Sequence, residues 1–450
     1  MVSAAEQMAA NISWRSFGKA TELRHRIFFA LGLLIVYRIG TYIPVPGIDT
    51  IALREFVETA SSGIGGMLNM FTGGAIGRMG VFALGIMPYI SASIIVQLMV
   101  AMVPTLSQLK KEGEQGRKKI NQYTRYGTVF LATFQAYGLA VSLETGNLVL
   151  DPGWYFRIAC VITLVGGTMM LMWLGEQITA RGIGNGISLI IFTGIIAEIP
   201  AALAQFFSQG RSGVLSPFVI VGVLLMVVAV VGCVVYVERA LRRIQINYPR
   251  RQQGNKVFQG GSSYLPVKVN PSGVIPPIFA SSLLLLPTTV ATFSGNSTNP
   301  FMSTLLAYFG PGQPLYLLFF VVMIVFFCYF YTQNVTFKTE DVAENLKNQN
   351  GFIPGIRPGQ HTAEYLDYVV IRILVLGSAY LSLVCILPEI LRSELAIPFY
   401  FGGTSVLIVV SVTMDTVSQV QSHLMAHQYE GLINKAQLRG KRRKRVSRLR

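Results

Sequence analysis

Ten stretches of this chain are almost free of charge, running about 27–43, 80–103, 123–143, 155–175, 185–205, 217–237, 272–293, 314–333, 368–388 and 398–416. At ~1.5 Å of rise per residue, an α-helix of that length crosses a hydrocarbon core of ~30 Å, the shortest with some local thinning of the bilayer. What marks these stretches is unbroken apolar length. Apolar and polar positions do not alternate along them, so the pattern predicts transmembrane helices and excludes a β-barrel. The expected fold class is all-α and polytopic, with ten transmembrane helices.

The second and seventh stretches open on one motif. Gly85-Ile86-Met87-Pro88-Tyr89-Ile90-Ser91-Ala92-Ser93-Ile94 returns at an offset of 188 as Gly273-Val274-Ile275-Pro276-Pro277-Ile278-Phe279-Ala280-Ser281-Ser282. Gly, Pro, Ile, Ala and Ser stay in register, and Ile86 faces Val274. A proline just inside each start suits the first turn of a helix that follows a break. Five spans separate the start of one half from the start of the other. An odd number reverses the second half, so the copies run in opposite directions as an inverted repeat of the kind that marks a transport path. The expected organisation is an N-terminal segment at 1–26, a first half at 27–205, a second half at 206–416 and a basic tail at 417–450.

Composition agrees. Of 450 residues, 52% are hydrophobic and only 13% charged, which excludes a soluble globule. The net charge of +16 sits outside the spans. One set of connectors holds Lys110, Lys111, Arg117, Lys118 and Lys119, then Arg239, Arg242, Arg243, Arg250 and Arg251, then Lys338, Lys347 and Arg357, then the tail cluster Lys441–Arg450. The other side holds little beyond Arg54, Arg78, Arg157, Arg211 and Arg392. That bias predicts cytoplasmic termini in a cytoplasmic membrane, and an even span count agrees. Residues 1–23 are mixed and polar, and the first apolar run has no small-residue cleavage site, so no signal peptide is expected. Cys160, Cys233, Cys328 and Cys385 fall in or beside apolar runs without paired spacing, as packing residues do.

Between the first two spans lies a glycine-bracketed stretch about 63–74, with Ile64, Met67, Leu68, Asn69, Met70 and Phe71 at its centre. It is too short to cross. Read alone it fits an external loop; the functional reading is a short re-entrant helix shielded in a funnel and able to move. A glycine-punctuated turn at 176–186 opens the fifth span. Two connectors are long. The 238–271 loop carries Arg242-Arg243 and Arg250-Arg251, and the 334–367 loop carries Gly355-Ile356-Arg357-Pro358-Gly359. Pro and two Gly favour a tight turn that presents one guanidinium, suited to an acidic partner or phosphate. A loop arginine can equally serve topology and solubility. The tail, Lys441-Arg442-Arg443-Lys444-Arg445, suits anionic lipid or RNA.

The chain carries no P-loop, no His/Asp/Ser or paired-carboxylate constellation, and no metal pattern beyond a weak His423/His427 pair. An enzyme and a cofactor are therefore not expected, and energy must come from elsewhere. Ionisable groups, which a solute transporter keeps at mid-membrane, are nearly missing. That class, a secondary transporter with broken helices, is the rival reading. What mid-membrane offers is Ile86 and Ile90, Ile187 and Ile191, Ile278 and Ile408. Each alone suits packing or lipid contact; as a ring they make a constriction that dewets and blocks ions. A polar set, Gln97, Gln135 and Asn270, can join helices by bonds of about 0.5–2 kcal/mol, weak enough to exchange for an inserting ligand.

These motifs resemble the SecY family, the main subunit of the protein-conducting Sec translocon, in its bacterial form. The resemblance runs from Tyr37-Arg38-Ile39-Gly40 and Ile43-Pro44-Val45-Pro46-Gly47-Ile48 to Phe399-Tyr400-Phe401-Gly402-Gly403-Thr404-Ser405. It takes in Phe82–Ser93, Lys110-Lys111-Glu112-Gly113-Glu114, Trp173–Ser188, Leu265–Ser282 and Gly355–Gly359. It implies two five-helix halves closing as a clamshell around an hourglass pore. The six isoleucines fall where the family places its pore ring, and 63–74 falls at its plug. Spans two and three against seven and eight match a lateral gate where a signal sequence intercalates, with Gln97, Gln135 and Asn270 near its polar cluster. The long basic loops match a docking surface for the ribosome or the SecA motor, with Arg357 in its most specific turn. SecE and SecG complete the family complex, and preproteins bearing signal sequences are its substrates. The chain departs from the family in a longer, more basic tail.

Overall fold

The computed structural model describes residues 21–49, 51–53, 72–213, 216–249, 251–253, 256–258, 261–293, 313–395 and 403–446. Each predicted span coincides with one helix. In chain order these are α1 (Thr21–Gly40), α2 (Met87–Met102), α4 (Glu114–Thr145), α5 (Trp154–Arg181), α6 (Gly186–Arg211), α7 (Pro217–Arg239), α8 (Ile275–Phe293), α9 (Pro314–Tyr331), α11 (Gln360–Leu395) and α12 (Gly403–Val446). Two short helices lie in the connectors, α3 (Pro104–Lys111) and α10 (Thr339–Asn348). Among the described residues, seven helices are long and apolar enough to cross a membrane by length and composition. The pair α2–α3 makes an eighth, bent by 98° at Val103.

The repeated motif is a repeated backbone. Gly85 and Gly273 both take positive φ, 57° and 63°, a conformation open to glycine at little cost. Two residues later α2 begins at Met87 and α8 at Ile275, again at an offset of 188, each with proline in its first turn. Elsewhere packing follows small residues. On α4, Thr124, Thr128, Ala132, Ala136 and Ala140 recur every fourth residue on one buried face, and α4 packs there against α2 and α5. Phe130 and Phe134 point outward, and α7 is exposed along most of its length, as lipid-facing helices are. Gly186 lets α6 start against α5, where an added Cβ would stand 2.0 Å from the Gly175 carbonyl. The Asn185 side chain caps that start by accepting from the Ile187 N–H at 3.1 Å.

Helices α1, α2, α4, α5 and α6 pack among themselves, as do α7, α8, α9, α11 and α12. The two groups meet along two seams: α8 against α2 and α4, and α12 against α6 and α1.

The long connectors are more ordered than the sequence reading anticipated. The 238–271 loop is an antiparallel ribbon. Strand β1 (Leu241–Asn247) pairs with β4 (Ser262–Lys268), and β2 (Arg251–Gln253) pairs with β3 (Lys256–Phe258). Ile244, Ile246 and Val267 bury their side chains under it. Asn247 and Phe352 exchange two backbone hydrogen bonds, at 2.9 and 3.0 Å, so the ribbon and the 334–367 loop form one unit. There α10 lies on α11, and Leu346 and Leu366 join the same core. The tail beyond 416 continues α12 as helix to Val446.

Candidate functional site: an aliphatic constriction between two helix groups

Five of the six isoleucines meet. Ile86 and Ile90 at the start of α2, Ile191 on α6, Ile278 on α8 and Ile408 on α12 line one cavity where the two helix groups face each other. Water has about 20 Å³ of room in it, enough for roughly one molecule. Ile408 is 1% exposed, and Ile86, Ile90 and Ile191 are all buried. Ile187 is the exception: it packs against the same core but does not line the cavity, and its side chain reaches over Gly175 instead. Leu171, Ile190, Tyr37, Thr72 and Ser281 complete the wall. These were not singled out from sequence. Ser281 could have been, because it is the register partner of Ser93 in the repeat.

The predicted plug residues Ile64, Met67, Leu68, Asn69, Met70 and Phe71 lie outside the described residues. The end of that stretch is described, and it is moored. Tyr37 Oη donates to the Thr72 carbonyl at 3.2 Å, and an Arg38 guanidinium nitrogen donates to the Gly73 carbonyl. Arg38 also faces Glu198 of α6 at 3.9 Å. Gly73 and Gly74 both have positive φ, and a Cβ on Gly74 would meet Glu198 Oε1 at 2.4 Å.

The three amides make different hydrogen bonds among the described residues. Gln97 Nε2 donates to Ser93 Oγ at 3.1 Å within α2, while its Oε1 is buried with no partner among the described residues. Gln135 is half-buried on α4. Asn270 sits in the second helix group. Its Nδ2 donates to Glu238 Oε1 at 2.8 Å and to the Gly273 carbonyl at 3.1 Å, and its Oδ1 accepts from Ser272 Oγ at 2.9 Å. Ser272 Oγ in turn lies 3.4 Å from Cys328 Sγ on α9. Sequence reading passed over Glu238, a lone carboxylate beside Arg239 and an arginine pair.

On the connectors, Arg242 and Arg243 are exposed on β1, Arg251 lies in β2, and Arg250 falls outside the described residues. Arg357 is exposed in a turn bounded by Gly355 and Gly359, with φ of 81° and 108°. Thr362 Oγ1 closes that turn by donating to the Arg357 carbonyl at 2.9 Å. Lys110 on α3 belongs to the same surface. Partial burial lowers its pKa, and the charges of Lys338 and Arg117 lower it further, against a smaller rise from Asp341. The foot of α2 thus adjoins the start of α10.

Comparison with known proteins fits this arrangement. The family model described as SecY matches residues 80–417. Protein translocase subunit SecY of Rickettsia typhi is 51% identical over 437 residues, covering 96% of this chain and 100% of the relative. The Escherichia coli K12 protein of the same description is 51% identical over 428 residues, covering 94% and 96%. A solved protein-conducting channel aligns with a TM-score of 0.64 at 18% identity, over 88% of this chain and 91% of that one. Sec61 of the canine ribosome-channel complex aligns at 0.60 over the same shares. With identity this high across nearly its whole length, the chain belongs to the SecY family.

Proposed function

We propose that this chain is the protein-conducting subunit of a bacterial Sec translocase, a channel rather than an enzyme. The observation that carries the reading is the convergence of Ile86, Ile90, Ile191, Ile278 and Ile408 on one nearly water-free constriction between two helix groups. Aliphatic side chains seal by contact and bind no particular substrate side chain, so any unfolded sequence can pass. A hydrophobic constriction too narrow to stay wet also blocks ions at rest. The 63–74 stretch acts as the plug on the outer side, moored at its end by Tyr37, Arg38 and Glu198. The α8 seam with α2 and α4 is the lateral gate. Apolar segments of about 20 residues leave through it because they favour hydrocarbon. Gln97 Oε1 on α2, buried and without a partner among the described residues, is available to an incoming backbone.

Drive comes from outside. The ribbon and the Arg357 turn, joined at Asn247 and Phe352, form the docking surface for a SecA-type motor or a ribosome. A solved relative described as Sec61 in a canine ribosome-channel complex supports a ribosome as one such partner. SecE and SecG are the expected small partners, the inner membrane the location, and the cytoplasm the side of both termini.

The test is a crosslink. A photoreactive residue replaces Ile408, a secretory precursor is driven part-way with motor and ATP, and the stalled complex is irradiated. An adduct to the mature region of the precursor is the expected result. Its absence, with stalling verified, overturns the reading in favour of a solute transporter.

A further inference from the structure

The docking ribbon and α8 share one buried root, and a carboxylate stands in it. Glu238, in the last turn of α7, is 8% exposed, and Asn270, between the ribbon and α8, is 2% exposed. Both protons of the Asn270 amide are committed, one to Glu238 and one to the Gly273 carbonyl that precedes α8. The backbone around them has no slack. Val269 N–H donates to the Ala240 carbonyl at 3.1 Å, and the ribbon pairs from its first residues, Leu241 with Lys268. From the other side α11 closes in at a glycine, where a Cβ on Gly377 would stand 2.8 Å from the Val269 carbonyl. Tyr380, one turn further along α11, has a buried hydroxyl with no partner among the described residues and lies within electrostatic reach of Glu238. Lys268 and Asp415, 3.8 Å apart, flank the root in a more exposed position.

A buried carboxylate is costly unless its bonds are made, and here its bond fixes the residue from which α8 departs. We propose that Glu238 is the positioning residue that seats α8 against α2 and α4, acting through Asn270. The ribbon at this root bears Arg242 and Arg243, so a load on the docking surface reaches α8 through the Glu238–Asn270 bond. The functional consequence rests on reading the α8 seam as a gate; the seating itself does not.

The test separates reach from charge. Glu238→Gln keeps an acceptor at the same distance without the charge. Glu238→Asp keeps the charge but withdraws it by about 1.5 Å, stretching the contact to about 4 Å and out of hydrogen-bond range. Seam closure is read by trapping Met87→Cys to Ser282→Cys with a short thiol-reactive bifunctional crosslinker, since the native side chains touch at 3.9 Å. Cys233, exposed among the four cysteines, is replaced by serine. Yields are compared in membranes at matched chain abundance, without substrate, alongside basal ion conductance. Glu238→Gln is expected to trap as wild type. Glu238→Asp is expected to trap at least threefold less and to leak ions. Asn270→Ala, which removes the same bond from the other side, is expected to reproduce the loss. Wild-type trapping in Glu238→Asp or Asn270→Ala, or an equal loss in Glu238→Gln, overturns the proposal. A trapping loss with unchanged conductance upholds the seating and counts against the seam as a gate.

Discussion

Truncating the isoleucine ring should produce a leak only when two neighbouring members are cut. At rest the constriction gives water about 20 Å³. Cutting one buried aliphatic side chain to alanine opens a smaller space than the ~150 Å³ apolar cavity that stays dry. Ile408→Ala alone is therefore expected to conduct as wild type. Ile86→Gly with Ile408→Ala removes two of the side chains that line the cavity, opening room for several waters at ~30 Å³ each. Ile86 occupies the cap position before α2, so glycine there does not interrupt a helix. Ile408→Asn gives a separate handle, since it places a polar amide in the ring. The assay is conductance in planar bilayers with the purified complex, without substrate. Steady current is expected from the double truncation and from Ile408→Asn, and baseline current from Ile408→Ala. A double truncation no leakier than wild type would refute the assignment of these residues to the permeation path.

Three further outcomes follow from local geometry. Alanine at Gly273 pays only the left-handed backbone cost of about 1–2 kcal/mol, because its Cβ meets open space, whereas at Gly85 it also meets Thr72 Cγ2 at 3.0 Å. Gly85→Ala should thus lower the melting temperature in detergent more than Gly273→Ala, and equal shifts would dismiss the Thr72 contact. Arg357→Glu should weaken motor or ribosome binding by about tenfold or more, as expected for a lost charge-assisted bond, with the melting temperature unchanged; unaltered affinity removes that turn from the docking surface. Because burial, Lys338 and Arg117 lower the Lys110 pKa, folding binds fewer protons there than the unfolded chain does. Stability should therefore rise as pH climbs from the lowered value towards the ordinary lysine range, and an NMR titration should find Lys110 losing its proton before exposed lysines.

The spans were legible because length and charge depletion are one-dimensional signals, and the repeat was legible because glycine and proline constrain the backbone wherever they fall. The convergence of five isoleucines was partly legible, because Ile86 and Ile278 belong to the repeat and the others lie at mid-membrane depth, while the ring role itself came from the resemblance. Ile187 shows the limit, since helical spacing to Ile191 places it on one face but cannot say which neighbour that face meets. The ribbon was missed although Ile244 and Ile246 alternate with polar residues and pair with Leu265 and Ser263 across it, because the arginine pairs dominated the reading. In α10 the apolar residues Val342, Ala343 and Leu346 carry helical spacing that the Arg357 turn overshadowed. Asn270 was read in one polar set with Gln97 and Gln135; its partners Glu238 and Ser272 became visible only once chain positions 32 apart and two apart were folded together.

The two seams differ in what could take the place of their partner. Along α12, the Gly184 N–H donates to Gln419 Oε1 at 2.8 Å, and Leu23, Ile183 and Leu424 cluster beside it. A lipid chain offers nothing in exchange for that amide. Along α8, the described side-chain contact to α2 is Ser282 with the Met87 sulfur, amid aliphatic surface. An acyl chain, or an apolar peptide helix, matches such surface almost atom for atom, and a bilayer supplies no hydrophobic penalty for the swap. On the proposed reading of this seam as a lateral gate, opening is a ligand exchange between near-equals, so small differences in the hydrophobicity of an arriving segment suffice to decide whether it stays in the lipid or moves on.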